Sequence, residues 1–213
     1  MSKNHKKSLK KVSKFLNNRR FQKTILYGEK LLENKTLLKK ERQEILSVLG
    51  WAYDQWAVFD KKARLKKQKK ALRYFKKLAQ YDTYTAWRGI ATVYHHQNNP
   101  KKAIVCYKKA HKGNPKSKLL YNDLGNAYRR LGRITKNKRY LQLAMNYYQK
   151  ALKEEKSRFG KLIAHTNLAL FLREMGDLDD AKVYAKKVVA LLKKMKDKSL
   201  SDRLKNALHD LIK

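Results

Sequence analysis

Across residues 84–117 large and small apolar residues recur at helical spacing on either side of a turn. Trp87, Ile90, Ala91 and Tyr94 fall on one face of a helix, Asn98-Asn99-Pro100 make a turn, and Ala103, Tyr107 and Ala110 mark one face of a second helix that ends before Pro115. The spacing predicts a helical hairpin. One such hairpin cannot bury its own apolar face, so neighbours of the same kind are expected on both sides.

Those neighbours can be read along the chain. Residues 5–38 form a weaker version, with Val12 and Phe15 before an Asn17-Asn18 turn and Phe21, Thr24, Gly28 and Leu31 after it. Residues 43–80 carry Leu46, Leu49, Gly50 and Tyr53, then Ala71, Phe75 and Leu78. Residues 118–152 carry Tyr121, Leu124, Gly125 and Tyr128, then Ala144, Tyr148 and Ala151. Residues 162–195 carry Leu168, Ala169 and Leu172, then Ala181, Ala185 and Val188, with His165 in place of the first aromatic. Two of these hairpins contain extra residues, FDKKARLKKQKK with Leu65, Leu72 and Phe75 in register, and ITKNKRY, which read as second helices lengthened at their starts. KEEKSRFGK reads as a longer connection and a hinge, and 199–213 as one amphipathic helix with Leu200, Leu204, Ala207, Leu208 and Leu211 as its stripe. Pro100 suits the first turn of a helix, Gly132 and Gly176 suit helix-to-helix turns, and Gly113 suits a left-handed cap.

This order of residues resembles the tetratricopeptide repeat (TPR) over nearly the whole chain, most strongly in residues 84–152. The resemblance implies an all-α, right-handed α-solenoid of about five TPR-like hairpins, closed by a C-terminal capping helix, as a single domain over 1–213. It also implies that first helices line a concave groove and second helices the convex side. A dimerisation helix is the alternative for 199–213.

Charge is the second strong feature. Lys and Arg number 54 against 17 Asp and Glu, a formal net charge of +37. Such a field reaches about 8 Å at physiological salt and attracts acidic protein, nucleic acid or anionic lipid. Lysine covering solvated helix faces is the plain alternative. No apolar run approaches the roughly 20 residues of a membrane span, and the start lacks the apolar stretch of a signal peptide. A cytoplasmic protein is expected, in keeping with the single cysteine, Cys106.

Groove positions follow from aligning the chain with itself. They present Trp51, Arg88, His95, Asn122, Asn126, Arg129 and Arg173. Arginine forms paired hydrogen bonds to a carboxylate or phosphate, so Arg88, Arg129 and Arg173 are expected to hold an acidic segment of a partner protein or peptide. Asn122 and Asn126, one turn apart, suit the backbone of an extended peptide, although YNDLGNAY is also close to the repeat's consensus. Asp123 argues against the lysine-asparagine clamp of chaperone-binding TPRs. Trp51 suits an anchor for a ligand or packing against the preceding repeat. Trp87, Tyr94, Tyr107, Tyr121, Tyr128 and Tyr148 occupy packing positions and are expected in the core.

Lysines on the second helices suggest a basic rail: Lys66, Lys67, Lys69, Lys70, Lys76, Lys77, Lys108, Lys109, Lys150, Lys186 and Lys187. Such a rail suits RNA, a ribosome or another polyanion. No cofactor or metal site is expected, since adjacent His95 and His96 point apart on a helix. Cys106 has no evident base, and no phosphate-cradling glycine loop or paired carboxylates occur, so catalysis is not expected. The expected role is an adaptor or scaffold, with RNA binding as the alternative.

Overall fold

The structure is a computed structural model that describes residues 3–115, 117, 119–193 and 198–212. The described residues form helices joined by turns. None of their helices is long and apolar enough to cross a membrane. The helices gather in two compact units, Met1–Pro115 and Lys116–Lys213.

In the first unit α1 (Lys3–Asn17) pairs with α2 (Phe21–Leu32), α3 (Lys39–Phe59) with α4 (Arg64–Leu78), and α5 (Thr83–His96) with α6 (Pro100–Gly113). The second helix of each hairpin also packs on the first helix of the next, and the first helices α1, α3 and α5 lie side by side. Phe75 shows why these residues stack this way. Its ring is fully buried, and a β-carbon at Gly50 would lie 2.6 Å from it, with one at Gly89 closer still. Glycine on both neighbouring first helices makes the slot for the ring. Trp51 meets the same ring edge-on, centroids 5.1 Å apart.

Polar side chains fix the helix starts. Asp82 accepts from the Thr85 amide at 2.9 Å, and Asn99 accepts from the Lys102 amide at 3.1 Å with Pro100 at the first turn.

The second unit contains α7 (Leu119–Thr135), α8 (Lys138–Glu154), α9 (Arg158–Met175), α10 (Leu178–Lys193), α11 (Lys198–Ala207) and α12 (His209–Ile212). Pairs α7/α8 and α9/α10 repeat the hairpin, and α12 packs on α10. Tyr148 takes the place that Phe75 has in the first unit. It is fully buried, 2.5 Å from where a β-carbon of Gly125 would stand, and its ring lies 5.7 Å from that of Phe171.

Several expectations need correction. The extra residues lengthen first helices as well, since α3 runs to Phe59 and α7 to Thr135. Leu65 lies outside the core, 69% exposed; Lys67 and Gln68 are buried in its stead. Gly132 sits inside α7 against Leu141, and the turn falls at Lys136, whose φ is 51°. Gly113 does not adopt a left-handed cap, whereas Gly176 does, with φ 86°. KEEKSRFGK is mostly helical, leaving only residues 155–157 between α8 and α9, with Ser157 capping the latter through the Gly160 amide at 3.0 Å. Residues 199–213 form two helices, broken at Leu208. Leu208 and Leu211 are buried, the Leu200 side chain and Lys213 lie outside the described residues, and Ala207 is exposed.

Candidate functional site

On the first-helix face of the first unit, α1 and α3 leave a cavity of about 630 Å³ lined by Leu9, Lys10, Ser13, Lys14, Asn17, Asn18, Lys40 and Glu44. Three ammonium groups face one carboxylate there. Self-alignment missed this cavity because the first hairpin's pattern is degenerate; the basic run before Val12 was its only signal.

Further along the same face, the Arg88 guanidinium of α5 lies 6.0 Å from the ring centre of Trp51 on α3. Trp51 is half-buried, so it joins packing against Phe75 to a contact with the next hairpin's cation. His95 is half-buried, its ring 6.2 Å from that of His96. His96 in turn sets Nδ1 3.0 Å from the buried carboxylate of Asp54 on α3. The structure thus brings Trp51 and Arg88 together on one face, with His95 on the same helix as Arg88.

In the second unit the expected groove residues make contacts within the fold. Asn122 is buried and its Oδ1 accepts from Asn167 Nδ2 at 3.1 Å, tying α7 to α9. Asn126 Oδ1 accepts from the Tyr148 hydroxyl at 2.7 Å. Arg129 and Arg133 share Glu174, at 3.5 and 2.7 Å. Arg173 donates from Nη1 to the Ala207 carbonyl at 3.2 Å, at the end of α11. Sharing one carboxylate between Arg129 and Arg133 leaves a net positive charge on the α7 side of this face.

The lysines of the second helices divide. Lys66, Lys69, Lys76, Lys77, Lys108 and Lys186 are exposed. Lys67 departs from the expected rail: it is 8% exposed, pairs with Asp60, and sets Nζ 4.0 Å from the Trp56 ring centre. That pair holds the Asp60 carboxyl below the usual carboxylate range, chiefly through the hydrogen bond from Lys67. Lys70, Lys109, Lys150 and Lys187 are exposed but stand over Tyr53, Trp87, Tyr121 and Tyr184, at 5.0, 4.4, 4.5 and 5.0 Å. Lysine before the last small residue therefore covers an aromatic in three successive hairpins.

Two buried groups complete the electrostatics. Burial pushes the Cys106 thiol upward, which keeps it protonated and unreactive. His165 on α9 is buried beside Tyr184, and burial, then Lys187 and Lys161, push its pKa down. Folding then favours neutral imidazole, so this stabilisation is present above the unfolded pKa of about 6.5 and is lost as pH falls below it. Thermal melts from about pH 7 to about pH 5 should show a smaller loss for His165→Phe than for wild type. Equal losses would remove His165 as the cause. No group of three or more His, Cys, Asp or Glu among the described residues is placed to hold a metal ion.

Comparison with known proteins agrees with this architecture. A family model described as tetratricopeptide repeat matches residues 119–155 and 166–195. No curated protein matches the sequence. Among solved structures, a thermophilic TPR protein of Thermus thermophilus, TTC0263, is 19% identical, with 96% of this chain and 98% of that chain covered and a TM-score of 0.68. A chain of the APC/C hetero-tetramer Cut9-Hcn1 is 19% identical over 96% of this chain and 43% of its own, with a TM-score of 0.57. The human IFIT1 dimer with m7Gppp-AAAA is 18% identical over 91% of this chain and 48% of its own, with a TM-score of 0.52. The consecutive hairpins and the glycine slots for Phe75 and Tyr148 give this chain the tetratricopeptide-repeat fold, and the family match lies in its second unit, over residues 119–155 and 166–195.

Proposed function

We propose that this chain is a protein-interaction scaffold that holds an acidic segment of a partner protein against its first-helix faces. TPR proteins generally act as interaction scaffolds, and the finer reading rests on chemistry. The observation that carries it is the cavity between α1 and α3, where Lys10, Lys14 and Lys40 oppose the single carboxylate of Glu44. A carboxylate-rich segment would neutralise that excess charge, and the Trp51–Arg88 pair offers it an aromatic surface and a guanidinium further along.

RNA binding along the second helices is the competing reading. The IFIT1 complex gives the fold a precedent with capped RNA, and the exposed lysines give this chain the charge.

Two charge-matched variants separate the readings. Lys14→Glu with Lys40→Glu alters the first-helix face, and Lys69→Glu with Lys108→Glu alters the second helices by the same net charge. Fluorescence anisotropy of a labelled polyglutamate peptide at physiological salt should show a loss of about ten-fold or more for the first pair and little change for the second. Equal losses from both would reduce the effect to net charge. Tight binding of a single-stranded RNA, lost only with the second pair, would favour the nucleic-acid reading.

A further inference from the structure

Two clefts of the first unit occupy the same place in consecutive hairpins and differ in charge. In each, two successive second helices stand apart over the first helix between them. The cleft over α3, about 580 Å³, is lined in part by Glu29, Glu33, Leu46, Tyr74 and Lys77. The cleft over α5, about 610 Å³, has Trp87, Ile90 and Tyr94 as its floor. Aligning Thr24, Gly28 and Leu31 with Ala71, Phe75 and Leu78 puts Glu29 at the position of Lys76. Aligning the latter three with Ala103, Tyr107 and Ala110 puts Lys70 at Lys102, Tyr74 at Cys106 and Lys77 at Lys109.

In the α3 hairpin the chain supplies its own carboxylate. Glu29 accepts from the Tyr53 hydroxyl at 2.9 Å and the Tyr74 hydroxyl at 2.7 Å, and Lys70 donates to the Tyr53 oxygen at 3.1 Å. Burial, reinforced by Glu29, pushes both phenols above their ordinary range, so both remain donors. The α5 cleft keeps the lysines and loses the carboxylate. Lys102 stands 5.6 Å from the Tyr94 ring centre and Lys109 4.4 Å from that of Trp87, while Lys76 replaces the acid and Lys101 adds a fourth cation. No acidic residue is among those lining it. Cys106, smaller than the tyrosine it replaces, widens the space, and Val105 on the rim is 53% exposed.

We propose that the α5 cleft is a second docking site, for an acidic segment of a partner protein carrying a large apolar side chain. The apolar group packs on Ile90 and the edges of Trp87 and Tyr94, and the flanking carboxylates meet the four lysines. Charge complementarity and the carboxylate already held in the neighbouring hairpin both argue for this occupant. A cavity of this size is ample for a large side chain. Nucleic acid fits less well, because base stacking needs an open aromatic face and the ammonium groups of Lys102 and Lys109 already cover Tyr94 and Trp87. This cleft lies on the second-helix side of the first unit, apart from the α1/α3 cavity, so either site can fail without the other.

The full chain would be titrated with a labelled dodecapeptide of aspartates with leucine and phenylalanine at helical spacing. A second peptide has serine for the apolar residues, and a single-stranded RNA dodecamer is the third probe. The apolar peptide should bind about ten-fold tighter than the serine peptide. Lys76→Glu restores the acid of the first cleft and Val105→Asp adds one at the rim; both positions are exposed, and each should abolish that preference with circular dichroism unchanged. Lys14→Glu with Lys40→Glu should leave the preference intact. Equal binding of the two peptides, or a preference that survives Val105→Asp, would overturn the proposal. RNA binding that is tighter than the peptide's and lost with Val105→Asp would assign the cleft to nucleic acid instead.

Discussion

Phe75→Ala is expected to lower the stability of the first unit by about 3–5 kcal/mol. The ring is fully buried against α3 and α5, and Gly50 and Gly89 on those helices have no side chains that could move into the space. Relaxation would require whole helices to shift, so most of the cavity should persist. All three tryptophans, Trp51, Trp56 and Trp87, belong to this unit, so their fluorescence during urea unfolding reports it selectively. A change below about 1 kcal/mol would show that the stack does not depend on this ring.

Tyr148→Ala should have an effect of the same order in the second unit, about 3–5 kcal/mol. Here the ring fills the slot at Gly125, touches Phe171 and donates its hydroxyl to Asn126. Tyr148→Phe separates these contributions, since it keeps the ring and removes the hydroxyl with its hydrogen bonds to Asn126 and Arg129, a loss of about 1–2 kcal/mol. Amide hydrogen exchange in α7 and α9 reads both variants. If phenylalanine cost as much as alanine, the hydroxyl bond rather than ring packing would hold these helices.

Apolar periodicity made the hairpins legible because each first helix repeats large, small and aromatic residues at fixed offsets. Phe75 and Tyr148 were found in this way, and so were Gly50 and Gly125; Gly89, which meets Phe75 from α5, was not. Helix ends were less legible. Gly132 had the composition of a turn, yet close packing against Leu141 uses it inside α7, and the reversal occurs at Lys136, a residue with no local preference for positive φ.

Site residues were harder to read, because a position on a face does not say what the side chain meets. Asn126 and Arg173 sit where a groove ligand would be sought, but their partners are Tyr148 and the Ala207 carbonyl. Lysines show the same limit. Lys67 and Lys69 are alike in sequence, and only the structure places Lys67 on Trp56 and Asp60 while leaving Lys69 in solvent. The α5 cleft was missed for a related reason: Trp87 and Tyr94 match packing positions, and the gap between α4 and α6 that uncovers them depends on how the second helices are spaced.

Hydrogen–deuterium exchange of the full chain, with and without a saturating polyglutamate peptide at physiological salt, tests the scaffold reading most directly. The reading predicts slower exchange in α1, α3 and α5, whether or not the second helices α2, α4 and α6 are slowed as well. Protection confined to those second helices, or none under conditions where a single-stranded RNA protects them, would contradict it.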